Sequence, residues 1–179
     1  IRRFVKDQSF DQLICVAIAK HSDFKLEGIE DERTLLHARL IRDADKLDNC
    51  RVKLEESMET LLDMDEKTVG ASPISPKVWE SCKAEESVLS ADRKTGMDYW
   101  MSYLALYFDI NFPETYQIIK EQDYIRRIAE RVPYSREDTK EKVAYTVKKL
   151  EEKMDGGCDG FCSVLHDALA DGSFCSIRR

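Results

Sequence analysis

Apolar and polar positions recur along this chain with a helical period, and no stretch of useful length alternates with the period of two that marks a half-buried strand. Ile14, Ala17, Ile18 and His21 fall at i, i+3, i+4 and i+7 on one face of a first predicted helix. Ser9-Phe10-Asp11-Gln12 reads as its capping box, with Ser9 as N-cap and Gln12 reaching back. Gly28 marks a loop. Asp31-Glu32-Arg33 then opens a long helix to about Leu54, acidic at its positive end. Ala38, Ile41, Asp45 and Asp48 share a stripe of that helix, and this reading turns the stripe toward the core.

Gly70-Ala71-Ser72-Pro73-Ile74-Ser75-Pro76 is the clearest break. Ser75 and Pro76 suit the N-cap and first position of a helix to about Leu89. Gly96 begins another, whose Met97, Trp100, Met101, Leu104 and Phe108 make a wide apolar face. Asn111-Phe112-Pro113-Glu114 opens a helix to about Val132, ended by Pro133. Ser135-Arg136-Glu137-Asp138 caps a last one to about Met154. The predicted fold class is all-α, a multi-helix bundle whose amphipathic helices are stable mainly through packing on one another.

The pattern changes after Met154. Asp155-Gly156-Gly157-Cys158-Asp159-Gly160 is turn-rich, and residues 161–170 suit a short helix. The predicted organisation is therefore a helical domain over 1–154 and a partly ordered Gly- and Cys-containing tail over 155–179. Cys158, Cys162 and Cys175 lie in that tail. Cys15, Cys50 and Cys82 sit in helical patterns, where cysteine is usually a small buried hydrophobe.

Composition narrows the function classes. A chain of 179 residues suits one domain that buries about 70 % of its unfolded surface. With 28 Lys and Arg against 35 Asp and Glu, the net charge of −7 argues against binding nucleic-acid polymers, which are held by clustered cations. No apolar run reaches the roughly 18 residues that cross a bilayer, and the amino end has no signal-peptide core. The cytoplasm is the default location. The chain opens on Ile1 with a helix close behind, and so reads as missing its front.

The candidate chemistry is concentrated in Arg42-Asp43-Ala44-Asp45-Lys46-Leu47-Asp48. A carboxylate on an apolar helix face is costly unless paired or bound to a cation. With Asp43 and Asp48 within a turn of Asp45, a divalent metal would relieve that cost most simply. The competing reading pairs Arg42 and Lys46 with these aspartates as ordinary helix ion pairs.

Ile18-Ala19-Lys20-His21, Asp31-Glu32-Arg33-Thr34-Leu35-Leu36 and Ile41-Arg42-Asp43-Ala44-Asp45-Lys46-Leu47-Asp48, with Asp98-Tyr99-Trp100 and Phe108-Asp109-Ile110-Asn111-Phe112 later, resemble the second half of the HD domain in bacterial HD-superfamily phosphohydrolases. The resemblance covers about residues 1–153. It implies an HD-type bundle and metal-dependent hydrolysis of a small phosphorylated substrate, a phosphate ester or nucleotide. Asp45 is implied as the late metal ligand, and His21 as a histidine near the site that binds phosphate or a second metal. Asp48 would orient the ligands, and Arg42 and Lys46 would line the rim and meet substrate phosphate. The family's early His and His-Asp doublet would lie ahead of Ile1. Mixed nitrogen and oxygen ligation suits Mn, Fe, Ni, Co or Zn. The alternative is a catalytically silent helical interaction or phospho-ligand-binding module that keeps the fold without a complete metal site.

Two tail readings stand beside these. His166-Asp167 is a His-Asp doublet after apolar residues on a predicted helix. Cys158, Cys162, His166 and Cys175 could together form a zinc knot, although their spacing matches no common finger.

Overall fold

The structure is a computed structural model that describes residues 3–170, and 157–170 by backbone course alone. Nine α-helices and no strand occur among the described residues, which is the all-α class that the periodicity predicts. They are α1 (Asp11–Lys20), α2 (Glu32–Glu55), α3 (Met58–Leu62), α4 (Glu66–Ala71), α5 (Pro76–Lys83), α6 (Gly96–Ala105), α7 (Pro113–Glu121), α8 (Tyr124–Glu130) and α9 (Glu137–Ala170). Short 3-10 turns cover Gln8–Phe10, Ser90–Asp92 and Leu106–Asp109.

The core forms around α6. Met97, Trp100, Met101 and Leu104 are fully buried there, and α4, α5, α8 and α9 pack about them. A helix buried on most sides must have its ends satisfied internally, and α6 does this through Asp98. Its carboxylate accepts from the Thr95 and Lys94 amides, and from the amide and hydroxyl of Ser75 at 2.7 and 2.6 Å. The Thr95 hydroxyl in turn accepts from the Asp98 amide, completing a capping box. One buried acid thus closes the start of α6 and ties it to the start of α5. Gly70 marks another close approach: a Cβ there would strike the Pro133 carbonyl, so only glycine lets α4 lie against the chain entering α9.

The long helix α2 follows its prediction closely. Asp31 is its N-cap, with Oδ2 accepting from the Thr34 amide at 2.7 Å. At its other end Arg131 donates to the Lys53 carbonyl, occupying an acceptor that the last turn leaves without a helical partner. α1 packs chiefly on α2.

Several boundaries differ from prediction. Asp7 rather than Ser9 is the capping side chain near the amino end; it accepts from the Ser9 amide and opens a 3-10 turn before α1. α3 and α4, of five and six residues, went unpredicted because they are too short to show a period. α5 stops at Lys83, short of Leu89, because Glu85 turns left-handed. The predicted helix to Val132 is two, α7 and α8, divided where Asp123 adopts φ 50°. Aspartate tolerates that conformation better than most residues, so no glycine signalled the break. α9 continues to Ala170 through the segment read as a turn. Glycine weakens a helix by about 1 kcal/mol without forbidding it.

Candidate functional site

The chemistry-bearing stretch lies in the middle of α2; Ala38 is buried as predicted, but the acids of the predicted stripe are not. Thr34, Ala38, Arg42, Asp43, Lys46, Cys50 and Lys53 form the buried stripe, whereas Asp45 and Asp48 are exposed. The helix is therefore rotated so that three cations, Arg42, Lys46 and Lys53, and one acid, Asp43, face inward. Partners for Arg42, Lys46 and Asp43 come from the segment joining α6 to α7.

Arg42 is 6 % exposed. Its guanidinium donates to the backbone carbonyls of His21 and Asp23, and through Nη2 to Asp109 Oδ2 at 2.5 Å. Lys46, 5 % exposed, donates to the same Asp109 Oδ2 at 2.9 Å and to the Asp109 carbonyl. Burial lowers the Lys46 pKa, and the hydrogen bond and charge of Asp109 work against that shift. For Asp109 burial pushes the carboxyl upward, but Lys46 and Arg42 outweigh it and leave the carboxyl below its ordinary value. One carboxylate thus serves two buried cations.

Asp43 has a different task. Its oxygens accept from the Asn111 amide at 3.1 and 3.0 Å, from Asn111 Nδ2 at 2.7 Å and from the Phe112 amide at 2.9 Å. Phe112 is the N-cap of α7 and has no polar side chain of its own. Asp43 therefore caps α7 from another helix, with its negative charge at the positive end of the helix dipole. Its 1 % exposure is tolerated because the carboxylate is bonded on both oxygens.

The placement of Asp45 on a core-facing surface is thus corrected: Asp43, two residues earlier, is the buried acid. Asp45 stands at the surface and accepts from Asn49 Nδ2 at 3.3 Å, with no cation within ion-pair distance among the described residues. Its charge is felt by Lys53, which burial pushes down in pKa and Asp45 partly restores. Asp48 is also exposed and pairs with Arg51 at 3.0 Å, and Arg51 continues to Glu55. Arg42 and Lys46 are both buried, and Arg42 also lines a cavity beside them. Neither charge faces solvent, because both are held inward by Asp109, more than sixty positions away.

His21, the C-cap of α1, is half-buried. Its Nδ1 lies 2.6 Å from the Ile18 carbonyl, which fixes Nδ1 as the protonated nitrogen and leaves the lone pair on Nε2. Its own carbonyl accepts from Arg42, so the cation buried beside Asp43 also fixes the backbone at His21. No group of three or more His, Cys, Asp or Glu side chains stands in metal-holding geometry among the described residues. The side chains of Cys158, Cys162, His166 and Asp167, and the whole of Cys175, lie outside the described residues.

Sequence reasoning met Asp109 only within a resembling stretch and assigned no role to it, although it organises this cluster. The only signal was an isolated acid in an otherwise apolar run, Leu106-Tyr107-Phe108-Asp109-Ile110. Beside the cluster, Lys25, Leu26, Gly28, Ile29, Leu35, Arg39, Arg42, Asp109 and Asn111 enclose a cavity of about 360 Å³ between the loop after α1 and the face of α2. Comparison of the chain with family models, curated proteins and solved structures finds no match.

Proposed function

We propose that this chain belongs to a metal-dependent phosphohydrolase of the HD kind and supplies Asp45 as one carboxylate ligand. The observation that carries the reading is the division of labour in the aspartate cluster. Asp43 is consumed by the start of α7 and Asp48 by Arg51, while Asp45 is left without a cation on a helix fixed at both ends. A surface carboxylate without a cation partner is suited to ligation, because no ion pair has to be broken first. His21, with its lone pair on Nε2, is the imidazole that the same resemblance assigns near the metal.

These two side chains alone do not fit a resident ion. A catalytic divalent site takes about three protein ligands, and the described residues bring no such group together. In this reading the remaining ligands are side chains other than those described for residues 3–156. The chain's own contribution is positional: the Arg42–Asp109–Lys46 lock and the Asp43 cap hold α2 at a fixed rotation, and so hold the direction in which Asp45 points.

The test is paramagnetic line broadening by Mn(II) in amide NMR spectra, which detects weak sites. Broadening should centre on Asp45 and fade in Asp45→Ala, while Asp48→Ala retains it. Asp43→Ala should lower occupancy less than Asp45→Ala wherever it stays folded. Broadening spread over the acidic surface and unchanged in Asp45→Ala would reject the assignment. Hydrolysis of p-nitrophenyl phosphate with added Mn(II) provides the activity readout.

A second reading, a silent helical interaction module, draws on Ile18, Leu36 and Leu40. These three α1 and α2 side chains are 53, 51 and 54 % exposed, a concentration of apolar surface on neighbouring helices.

A further inference from the structure

A groove lined by α3 and α6 holds charges of both signs that do not meet. Arg93, Asp63 and Glu59 all line it. Among the described residues Arg93 has no carboxylate within ion-pair distance, and neither acid has a cation. In a chain with 35 Asp and Glu, a half-buried arginine without one is out of pattern, since Arg42 and Arg131 each have theirs. The Arg93 guanidinium carbon lies 4.8 Å from the Tyr99 ring centroid. Its Nε and Nη1 reach the Ser90 carbonyl at 3.4 Å and Ser102 Oγ at 3.5 Å, both long bonds, and Nη2 has no partner among the described residues. Asp63 closes α3 in a left-handed conformation at φ 56°. Its amide caps the helix, but its carboxylate bonds nothing, at a helix end that favours cations. Glu59 is shared with a neighbouring groove that has Arg131 in its wall, so Asp63 is the better placed acid. Most of the remaining wall is apolar or aromatic: Leu61, Leu62, Met64, Tyr99 and Tyr103. Tyr103 is fixed by its hydroxyl, which donates to the Leu61 carbonyl at 3.5 Å, and by the Lys53 ammonium 3.9 Å from its ring centroid.

We propose that this groove binds a small zwitterion with an aromatic side chain, a free amino acid or a short peptide. A simple carboxylate would leave Asp63 uncompensated, and a simple amine would leave Arg93 so. A molecule with both ends satisfies both. The open edge of the Arg93 guanidinium matches a planar carboxylate, which it can hold through two parallel bonds. Asp63 accepts from the ammonium. The aromatic side chain packs against Tyr99 and Tyr103 in the offset or edge-on geometry that ring pairs prefer, with the leucines and Met64 completing an apolar bed. A volume of about 720 Å³ lies inside the usual range of ligand sites and leaves room for a dipeptide. None of these residues belongs to the Asp45 cluster, and the proposal depends neither on a metal nor on hydrolysis.

The experiment is titration of the full chain with L-phenylalanine and with leucyl-phenylalanine, followed by calorimetry and amide NMR. Saturable binding is expected, with shifts centred on residues 60–64, 93, 99 and 103. Tighter binding of the dipeptide supports the site as one for peptides, and tighter binding of phenylalanine supports it as one for a free amino acid. Removing either charge from the ligand, as in N-acetyl-phenylalanine or phenethylamine, should weaken binding roughly tenfold or more. Asp63→Asn should weaken the zwitterion by a similar factor and leave N-acetyl-phenylalanine unaffected. Asparagine suits the left-handed position, so the melting temperature should hold. Arg93→Gln should do the converse and spare phenethylamine. The proposal is overturned by absence of saturable binding of either zwitterion at millimolar concentration, by equal affinity for a one-charge analogue, or by zwitterion affinity retained in either variant. The analogue series uses the unmodified chain and so decides the matter even where Arg93→Gln fails to fold.

Discussion

At the scale of single residues, the decisive fact is that two aspartates separated by one alanine have opposite surroundings. Asp43 satisfies two backbone amides and a side-chain amide, and buried donors left without an acceptor cost about 1–3 kcal/mol each in unfavourable cases. Asp43→Ala is therefore expected to destabilise the fold by about 2–4 kcal/mol, read as a lower urea midpoint. Asp45→Ala should stay within about 0.5 kcal/mol, as exposed substitutions do. Equal losses would contradict the assignment of the two roles. The sequence could not separate them. On a helix, positions two apart differ by about 200°, and an apolar stripe through Ala38 and Ile41 favoured Asp45. Arg42 and Lys46 tipped the true rotation the other way, and a buried cation is invisible until its partner is known. That partner, Asp109, is remote in the chain and surrounded by apolar residues.

At the scale of elements, some local helix starts were legible, although the box read at Ser9 gave way to Asp7, and caps that arrive from elsewhere were illegible. Asp31 before α2 and Pro76 at the start of α5 were read correctly because the geometry is local. The Asp43 cap on α7 and the Ser75 bonds to Asp98 could not be read, because each joins two helices. Asp98 is the clearest case: fully buried, it fastens the starts of α5 and α6 together. Asp98→Ala removes acceptors from three backbone amides and a hydroxyl at once. A loss of about 3 kcal/mol or more is expected in chemical denaturation. Asp98→Asn should recover only part, because one amide oxygen replaces two carboxylate oxygens. A loss below 1 kcal/mol for the alanine variant would show that water replaces those bonds.

For the whole molecule, the apolar core around α6 and the charge lock on α2 are separate sources of order, and they respond differently to pH. Asp109 has a depressed folded pKa, so its contribution is complete above the ordinary value of 3.8 and disappears as pH falls through the folded value. Asp109→Asn leaves Arg42 and Lys46 buried without their counter-charge. A fully buried pair broken in this way loses roughly 3–5 kcal/mol. Because the Asp109 side chain is 42 % exposed, about 2–3 kcal/mol is expected at pH 7. The gap between wild type and variant should narrow in acid, as the wild-type carboxyl takes up its proton. A gap constant from pH 7 to pH 2 would show that the variant acts through packing alone. The all-α class followed from periodicity, since it depends only on local pattern. The location of the charges depended on contacts between distant parts of the chain, and no local pattern encodes those.

The distance along the chain between Arg42 and Asp109 also bears on how the molecule opens and closes. Their bond spans 67 positions, so drawing its ends together costs entropy that is repaid only after α3 to α6 have condensed between them. Such a contact is expected to form after the rate-limiting step. Losing it should hasten escape from the native state while leaving the speed of refolding nearly unchanged. The lock thus acts as a latch on the finished molecule and gives no guidance to the chain on its way there.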